Sequence, residues 1–288
     1  TYVNWASMRN DGFEVALTTR NINRNGFTWF TNFNLGYNQN KVLRETVPSN
    51  QTTPGREGYP VGALFAYKSA GLDDEGYPLF YNKEGEKVTA VELLKLNSAG
   101  ASTLSAEEQR NLYSYIGSSD PLFSGGFVNT FNIKRFEVVV NFIFNLKMYS
   151  RVAPSYTLTS FDRGMNTNRD ILNRWTPTNT NTDFPALLSD TKRTAEYSHY
   201  DIFSTYQMMD TWVKRSDHVR LQNIRVGYKL PETLMHTLGI RSATVALEGR
   251  NLFVFGANYK NFLDPETMSN QFAQPIPKSF TFSLNMNF

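Results

Sequence analysis

The stretch that decides the fold is Phe280-Thr281-Phe282-Ser283-Leu284-Asn285-Met286-Asn287-Phe288, in which apolar and polar residues alternate without a break. Successive side chains of a β-strand point to opposite faces of the sheet, so one face here is wholly apolar and the other is polar but uncharged. A strand that crosses a bilayer at a tilt needs about 9–11 residues. The stretch predicts either a membrane-spanning strand or the last strand of a soluble β-sandwich, and companion strands of the same pattern would separate the two.

The composition excludes several classes of protein. The 288 residues include 29 Lys and Arg and 26 Asp and Glu, and the net charge of +3 is too weak and too evenly spread for nucleic-acid binding. The chain has no Cys, which excludes disulfides and thiolate metal sites. No run of about 18 apolar residues offers a transmembrane helix. The mean hydropathy of −0.43 is compatible with a membrane barrel, because only every second strand residue faces lipid.

Other segments share the strand pattern of the last nine residues. Alternating apolar residues predict strands over 11–20, 27–40, a hairpin over 127–147, and two more strands over 219–230 and 243–255. Asn25-Gly26 predicts a tight turn with positive φ. The apolar set of the segment 219–230 changes parity at Gln222-Asn223, which predicts a β-bulge.

Short and long connections alternate along the chain. Short turns are predicted at 21–26, 134–136 and 231–242, and long loops at 41–126, 148–217 and 256–278. Within the first long loop, Ser105 and Glu108 have the spacing of a helix capping box. Outer-membrane barrels have short periplasmic turns and long extracellular loops, whereas a sandwich mixes its loop lengths. We therefore predict an all-β, antiparallel up-and-down transmembrane β-barrel with all three long loops extracellular.

Several motifs occur along the whole chain in a distinctive order. They are Met8-Arg9-Asn10-Asp11-Gly12-Phe13-Glu14, Gly58-Tyr59-Pro60-Val61-Gly62, Ala70-Gly71-Leu72-Asp73, Phe123-Ser124-Gly125-Gly126-Phe127, Asn173-Arg174-Trp175-Thr176-Pro177, Val219-Arg220-Leu221-Gln222-Asn223-Ile224-Arg225-Val226-Gly227-Tyr228-Lys229-Leu230-Pro231, Gly249-Arg250-Asn251-Leu252-Phe253 and Asp264-Pro265-Glu266. In content and order they resemble the SusC/RagA family of TonB-dependent outer-membrane transporters.

The resemblance implies a 22-stranded barrel, of which this chain supplies about seven strands in its C-terminal part. It implies that a plug and a TonB box precede the present chain, which starts at Thr1 without an initiator Met. The implied partners are a SusD-like surface lipoprotein, the TonB complex, outer-membrane lipid of a Gram-negative bacterium, and an oligosaccharide or oligopeptide substrate. No cofactor is implied. The terminal Phe288 resembles the signal that the barrel-assembly machinery reads.

Candidate contact residues lie in the second long loop. We expect ligand or partner contacts from Arg174, Trp175, Tyr197, Tyr200, Tyr206 and Trp212, with Tyr156 in the same stretch. Aromatic faces beside planar polar groups suit an oligosaccharide and equally a peptide backbone. The alternative is that these residues pack against the plug, neighbouring loops or the lipoprotein. A second alternative places Trp212 in an interfacial aromatic girdle with Trp29, Tyr37 and Tyr228.

Catalytic and metal sites are not indicated by the residue pattern. The three His residues, His199, His218 and His236, lack metal-ligand spacing, and we expect His218 at a membrane interface. Asp73-Asp74-Glu75-Gly76 lacks the alternating ligands of a calcium loop and is expected to form a solvated acidic turn. Two carboxylate pairs, Asp162 with Asp170 and Asp264 with Glu266, are candidates for a glycosidase site. The sequence does not fix the distance between the two carboxylates of either pair, and we expect them to be ordinary acidic loop residues. We predict a transporter rather than an enzyme.

Three functional hypotheses remain open at this point. The first is TonB-dependent import with a lipoprotein partner, the second a passive porin or structural barrel protein, and the third a soluble carbohydrate-binding β-sandwich. A plug and a TonB box in the parent protein would separate the first two. Purification without detergent would single out the third.

Overall fold

Seven long strands form one antiparallel sheet, which we call the wall, in the computed structural model of the chain. The structure describes residues 6–154, 156, 169–187, 202–237, 239–256, 264–270 and 273–288. The wall strands are β1 Ser7–Arg24, β2 Phe27–Arg44, β3 Phe123–Ile133, β4 Phe136–Leu146, β5 His218–Lys229, β6 Ser242–Phe255 and β7 Ser279–Asn287. Each strand pairs with the next one in the chain, which is an up-and-down meander.

The pairing register places most of the apolar side chains of the seven strands on one face of the wall, whereas Val128, Val139 and Ile143 lie on the other. One row crosses six strands through Leu17, Phe33, Phe127, Phe142, Leu221 and Phe253. A neighbouring row on the other face is polar except at its valine and runs through Asn32, Val128, Asn141, Asn223, Arg250 and Ser279. Directly paired residues share a face, so the alternation of each strand adds up to one apolar and one polar surface.

The apolar face of the wall is uncovered. Leu247 and Phe282 are cross-strand partners near one edge and expose 56% and 70% of their surface. A β-sandwich buries such a face against a second sheet about 10 Å away. In the described ranges the other strands form only sheets of two or three short strands. Within the part of the chain that the structure describes, the wall therefore lacks the second layer that the soluble-sandwich hypothesis requires.

The first hairpin is longer than the alternation predicted. β1 was expected over residues 11–20 but spans Ser7–Arg24. At its far end Arg9 pairs with Lys41 and Asp11 pairs with Gln39. Backbone ladder bonds form whatever the side chains are, so pairing continues after the apolar alternation has ended. The hairpin thus extends beyond the apolar band at the end where the long connections lie.

Local signals in the sequence are confirmed at the turns and the bulge. Asn25 and Gly26 have positive φ angles of 51° and 74° in the tight turn between β1 and β2. The register of β5 shifts between Leu221 and Asn223 against both neighbours, which is the predicted bulge. The connection between β5 and β6 contains the short helix Glu232–Thr237.

Asn129 lies on the apolar face of β3 and is satisfied by neighbouring strand residues. Its side-chain oxygen accepts hydrogen bonds from Trp29 Nε1 at 3.0 Å and from Thr31 Oγ1 at 2.7 Å. A polar group at this position would otherwise be costly in an apolar surrounding. The pairing of β2 with β3 therefore makes an amide tolerable in the middle of an apolar surface.

The long connections, expected to be irregular, contain short elements of their own. Their strands are Ala63–Ala66, Ser69–Leu72, Pro78–Tyr81, Lys87–Val88, Ser114–Ser118, Tyr149–Arg151 and Val213–Arg215. Their helices are Ala90–Leu94, Ala106–Arg110 and Ile202–Tyr206, with 3-10 turns at Arg169–Asn173 and Asp210–Trp212. The capping box of Ser105 and Glu108 is confirmed at the start of the second helix. No helix in the described part of the chain combines the length and apolarity needed to span a membrane.

Candidate functional site

The three long connections leave the wall at the same end. We call them loop A (45–122), loop B (147–217) and loop C (256–278). Strand direction reverses at each step of a meander, so every second connection returns to the same end. The short turns after β1, β3 and β5 lie at the other end. The surface available for binding is therefore concentrated at the loop end, because the turns carry few side chains.

Loops A and B share one hydrophobic core. Its buried members are Tyr67, Phe80, Ala90, Leu93, Leu94, Tyr156, Ile171, Tyr206, Met209 and Trp212. The two loops are also joined through their backbones, because Tyr67 N donates to Met208 O at 2.9 Å and Asp210 N donates to Tyr67 O at 2.8 Å. The two loops consequently pack as one body rather than as independent flexible segments.

Two predicted contact residues belong to this core. Tyr206 exposes 2% and Trp212 exposes 3% of its surface, and their rings pack edge to face with centroids 5.4 Å apart. Buried rings have no face to offer a ligand, so the structure places these side chains in packing. Trp212 also lies off the wall strands, which removes it from the predicted aromatic girdle. Tyr156 is buried as well, its hydroxyl donates to Pro185 O at 2.7 Å, and burial raises its pKa.

Arg174 and Trp175 lie where loop B meets the acidic turn of loop A. The Trp175 ring covers Gly76, where a Cβ atom would come within 2.5 Å of Trp175 Cδ2. Gly76 also has a φ of 84°, a conformation that glycine adopts without strain. Arg174 Nη1 donates to Ile171 O at 3.1 Å, and both side chains remain partly exposed. Tyr197 and Tyr200 lie outside the described residues.

The turn Asp73–Gly76 is held by hydrogen bonds from backbone N–H groups to the Asp73 carboxylate. Asp73 Oδ1 accepts hydrogen bonds from the backbone N–H groups of Glu75 and Tyr77, both at 2.9 Å. The carboxylate therefore stabilises the turn that presents Gly76 to Trp175. Across the described ranges, no group of three His, Asp or Glu side chains is arranged to hold a metal ion.

A buried charge cluster joins loop C to the polar face of the wall. The Arg220 side chain on β5 is 2% exposed; its Nε donates to Glu266 Oε1 at 2.6 Å and its Nη2 donates to Asp264. Glu266 N donates to Asp264 Oδ1 at 3.0 Å, which orders the acidic pair. The two carboxylates considered as a glycosidase pair thus serve to bind one guanidinium. Arg220 lies in the most distinctive motif, but the local pattern gives no sign of its partners 44 and 46 residues away.

His218 is also part of this charge cluster. It was expected at a membrane interface, but its side chain is fully buried. His218 Nδ1 lies 2.8 Å from Ser216 O, and His218 Nε2 lies 3.3 Å from Glu266 Oε1 without meeting hydrogen-bond geometry. The prediction was wrong because loop C folds back over the start of β5, which the pattern of β5 alone does not indicate.

Further ion pairs line the polar face below this cluster. Arg225 Nη1 donates to Glu137 Oε1 at 2.6 Å across β4 and β5. Arg250 Nε donates to Glu248 Oε1, also at 2.6 Å, along β6. These side chains share the face of Asn141 and Asn223, opposite the apolar rows. The polar face therefore carries charged and amide side chains, a pattern typical of the interior of a large membrane barrel.

Loop A is closed near its base by an ion pair. Arg56 Nε donates to Glu45 Oε1 at 2.9 Å, directly after the end of β2. The hydrogen bonds from Arg56 hold the pKa of the Glu45 carboxyl below its usual range. At pH values above the ordinary pKa of a glutamate, this ion pair stabilises the loop. The contribution is lost as the pH falls through the lowered pKa of Glu45.

Arg151, in loop B, crosses to loop A. Its Nη1 donates to Gln207 O at 3.1 Å, and its Nη2 donates to Phe65 O. Both acceptors are neutral carbonyl groups. The contact fixes the strand Tyr149–Arg151 against the strand Ala63–Ala66, and it leaves a charged group close to the junction of the three loops.

Comparisons with known proteins agree in sequence and in fold. TonB-dependent receptor P3 of Formosa agariphila is 28% identical over 313 residues, which cover 99% of this chain and 29% of that receptor. TonB-dependent receptor P26 of the same organism is 25% identical over 325 residues, 99% of this chain and 30% of its own length. The chain therefore spans less than a third of these relatives. No protein-family model matches it.

Solved structures with the same fold include those of the RagAB peptide transporter. The RagAB peptide transporter superposes with a TM-score of 0.71 at 22% identity, over 99% of this chain and 30% of that chain. The RagAB peptide importer in its 'closed-closed' state gives a TM-score of 0.72 at 23% identity with the same coverage. At these identities the likeness concerns the fold. Together with the receptor sequences it confirms that the chain is similar, over nearly its whole length, to TonB-dependent outer-membrane transporters of the SusC/RagA type.

Proposed function

We propose that the chain forms part of the wall and the loops of a TonB-dependent outer-membrane importer. The observation that carries the proposal is the single-layer wall, which is apolar on one face, polar on the other and bears all its long loops at one end. A lipid-facing barrel wall needs such a surface. The similarity to TonB-dependent receptors supports the coupling of import to TonB.

The two edges of the wall support closure by further strands of the parent protein. In the described part of the chain, β1 pairs only with β2 and β7 pairs only with β6. Open strand edges are not tolerated in lipid, because each unpaired backbone group costs several kcal/mol there. The proposed complete structure is a 22-stranded barrel in the outer membrane of a Gram-negative bacterium, with a plug supplied by the parent protein.

The proposed substrate is an oligosaccharide or an oligopeptide, captured with a SusD-like lipoprotein over the extracellular mouth. The described parts of loops A and B share a core at the proposed mouth, and a packed loop body of this kind suits docking of a partner. The solved relatives are named as peptide transporters, which supports a peptide without deciding against a glycan.

Import and passive diffusion differ in their need for energy. We expect cells carrying the parent protein to lose uptake of its substrate when TonB is deleted, whereas a porin would continue to conduct. Outer-membrane levels of the parent protein serve as the control, because TonB is not needed for assembly. Undiminished uptake without TonB would favour the passive barrel.

The orientation of the wall gives a matched pair of variants in β4. Val140 lies on the apolar face opposite Asn129 and Ile224, and Asn141 lies on the polar face opposite Val128 and Asn223. Val140→Arg is expected to destabilise the folded barrel by about 2–4 kcal/mol near the bilayer midplane, and Asn141→Arg by much less. Unfolding in urea of the parent protein in lipid bilayers measures both. Equal costs would mean that the apolar face does not meet lipid.

The partly exposed Trp175 and the predicted contact Tyr200 supply a test of the loop surface. Trp175→Ala or Tyr200→Ala is expected to weaken uptake or lipoprotein docking by about 1–3 kcal/mol if the residue is an anchor. Growth on the cognate substrate and co-purification of the lipoprotein are the two measurements. Trp212→Ala is the comparison, since it removes a buried ring and should lower loop stability instead. Normal uptake and docking in both the Trp175 and the Tyr200 variant would place the contacts elsewhere.

A further inference from the structure

A cavity of about 390 Å³ lies where loops A, B and C meet. Its lining includes Leu64, Ser119, Arg151, Gln207, Glu266 and Ser269, so each loop contributes at least one residue. Glu266 binds Arg220, whose position on β5 belongs to the polar face of the wall. The cavity is therefore at the loop end on the polar side, where a molecule entering a barrel lumen would pass.

Arg151 brings a positive charge to this cavity and also lines a neighbouring one. In the described ranges the carboxylates that line the two cavities, Glu45 and Glu266, are each paired with another arginine. Both hydrogen bonds of Arg151 go to carbonyl oxygens, and no carboxylate in the described ranges pairs with it. The carboxylate on the other side, Glu266, is already bound to Arg220. Partial burial lowers the pKa of Arg151, but a guanidinium stays charged at neutral pH. A half-buried charge that has lost water and gained no counter-ion is costly.

The guanidinium of Arg151 has more N–H donors than its two carbonyl contacts use. An arginine carries five N–H donors, and the two carbonyl contacts use two of them. Of the three serines that line the cavity, Ser119 donates its hydroxyl proton to Gly62 O and Ser150 donates to Ser216 Oγ, so Ser269 is the serine left to donate to an anion. A single guanidinium beside one hydroxyl matches one monovalent anion, and its planar fork suits a carboxylate.

We propose that this cavity is a subsite in which Arg151 binds a carboxylate of the imported molecule. The proposal rests on the proposed import function and specifies the chemistry of its substrate. The carboxylate belongs either to an acidic or C-terminal residue of a peptide or to a uronic acid of an oligosaccharide. In both cases the charged group fills the cavity and the rest of the molecule extends into the space between the loops.

The test uses the purified full-length parent protein and two pairs of probes. One pair is a random hexapeptide library and the same library with its C-terminal and side-chain carboxylates all converted to primary amides. The other pair is a mixture of oligogalacturonates and the same mixture as neutral methyl esters. Equilibrium dialysis should show tighter binding of the charged member in at least one pair. The pair that responds identifies the source of the carboxylate.

Substitutions at two positions locate the subsite. Arg151→Gln is expected to weaken binding of the charged probe about 10- to 100-fold, with Arg151→Lys intermediate. Ser269→Asp places a negative charge in the cavity at an exposed position that makes no bond to Arg151, and should weaken binding without altering the loops. Arg110→Gln is the matched control, because Arg110 also donates to a carbonyl, Gln51 O, but lies outside this cavity.

The outcomes separate this subsite from the import function. Equal binding of charged and neutral members in both pairs overturns the subsite, as does unchanged charge preference in Arg151→Gln and Ser269→Asp. Charge-selective binding that depends on Arg151, in a protein whose uptake does not require TonB, would support the subsite and contradict the import mechanism. If Arg151→Gln alone lowers the melting temperature, its weaker binding could reflect unfolding. In that case the subsite stands if Ser269→Asp weakens binding of the charged probe, and it is overturned if binding is unchanged.

Discussion

Deleting residues 280–288 is expected to abolish accumulation of the parent protein in the outer membrane. These residues form nearly all of β7, whose pairing with β6 runs from Ser242 opposite Asn287 to Arg250 opposite Ser279. Without β7, the backbone donors and acceptors on one side of β6 would face lipid or a strand in the wrong register. Each unsatisfied group costs several kcal/mol in the bilayer, so the total exceeds the stability of an ordinary domain.

Membrane fractionation and heat-modifiable gel mobility measure this loss. Phe288→Ser separates two causes, since it leaves β7 intact and removes only the terminal aromatic side chain, the proposed assembly signal. Thr281→Ala is the control on the polar face of the same strand. A deletion variant that reaches the membrane at normal levels and resists heat in detergent would show that β7 is dispensable.

Arg220→Ala is expected to release loop C from the wall and to destabilise the region by about 3–5 kcal/mol. The substitution removes the guanidinium that binds both Asp264 and Glu266, while Asp264 stays 8% exposed. A buried carboxylate without a counter-charge either stays charged at high cost or takes up a proton. Hydrogen exchange of the segment 264–270 should therefore rise in the variant.

The polar face contains a matched control for this prediction. Arg250 also binds a glutamate at 2.6 Å, but its side chain is 60% exposed. Arg250→Ala is expected to cost about 0–1 kcal/mol, because water replaces the lost partner. A combined Arg220→Leu, Asp264→Leu and Glu266→Gln variant should recover much of the loss, since no charge is left unpaired. Similar costs for the two arginine substitutions would contradict a buried anchor.

The wall could be derived from the sequence because its signals are local. The alternation within each strand, the tight turn at Asn25-Gly26, the bulge near Gln222 and the capping box at Ser105 all depend on residues a few positions apart. Each strand pairs with its neighbour in the chain, so the order of the elements already specifies the sheet. Even here the length of β1 was underestimated, because backbone pairing does not end where apolar residues do.

The loop end could not be derived in the same way. Arg220 meets Asp264 across 44 residues, and Arg151 meets Phe65 across 86. Aromatic residues such as Trp212 have the same composition signal whether they face a ligand or a core, and only the packing of loop A against loop B assigned this ring to the core.

The sequence by itself determined which residues share a face of the wall, since that follows from a period of two along the backbone. Only the tertiary structure decided which loop charges find a partner among the described residues and which, like Arg151, do not, because ion pairing depends on distances between segments that no local pattern records.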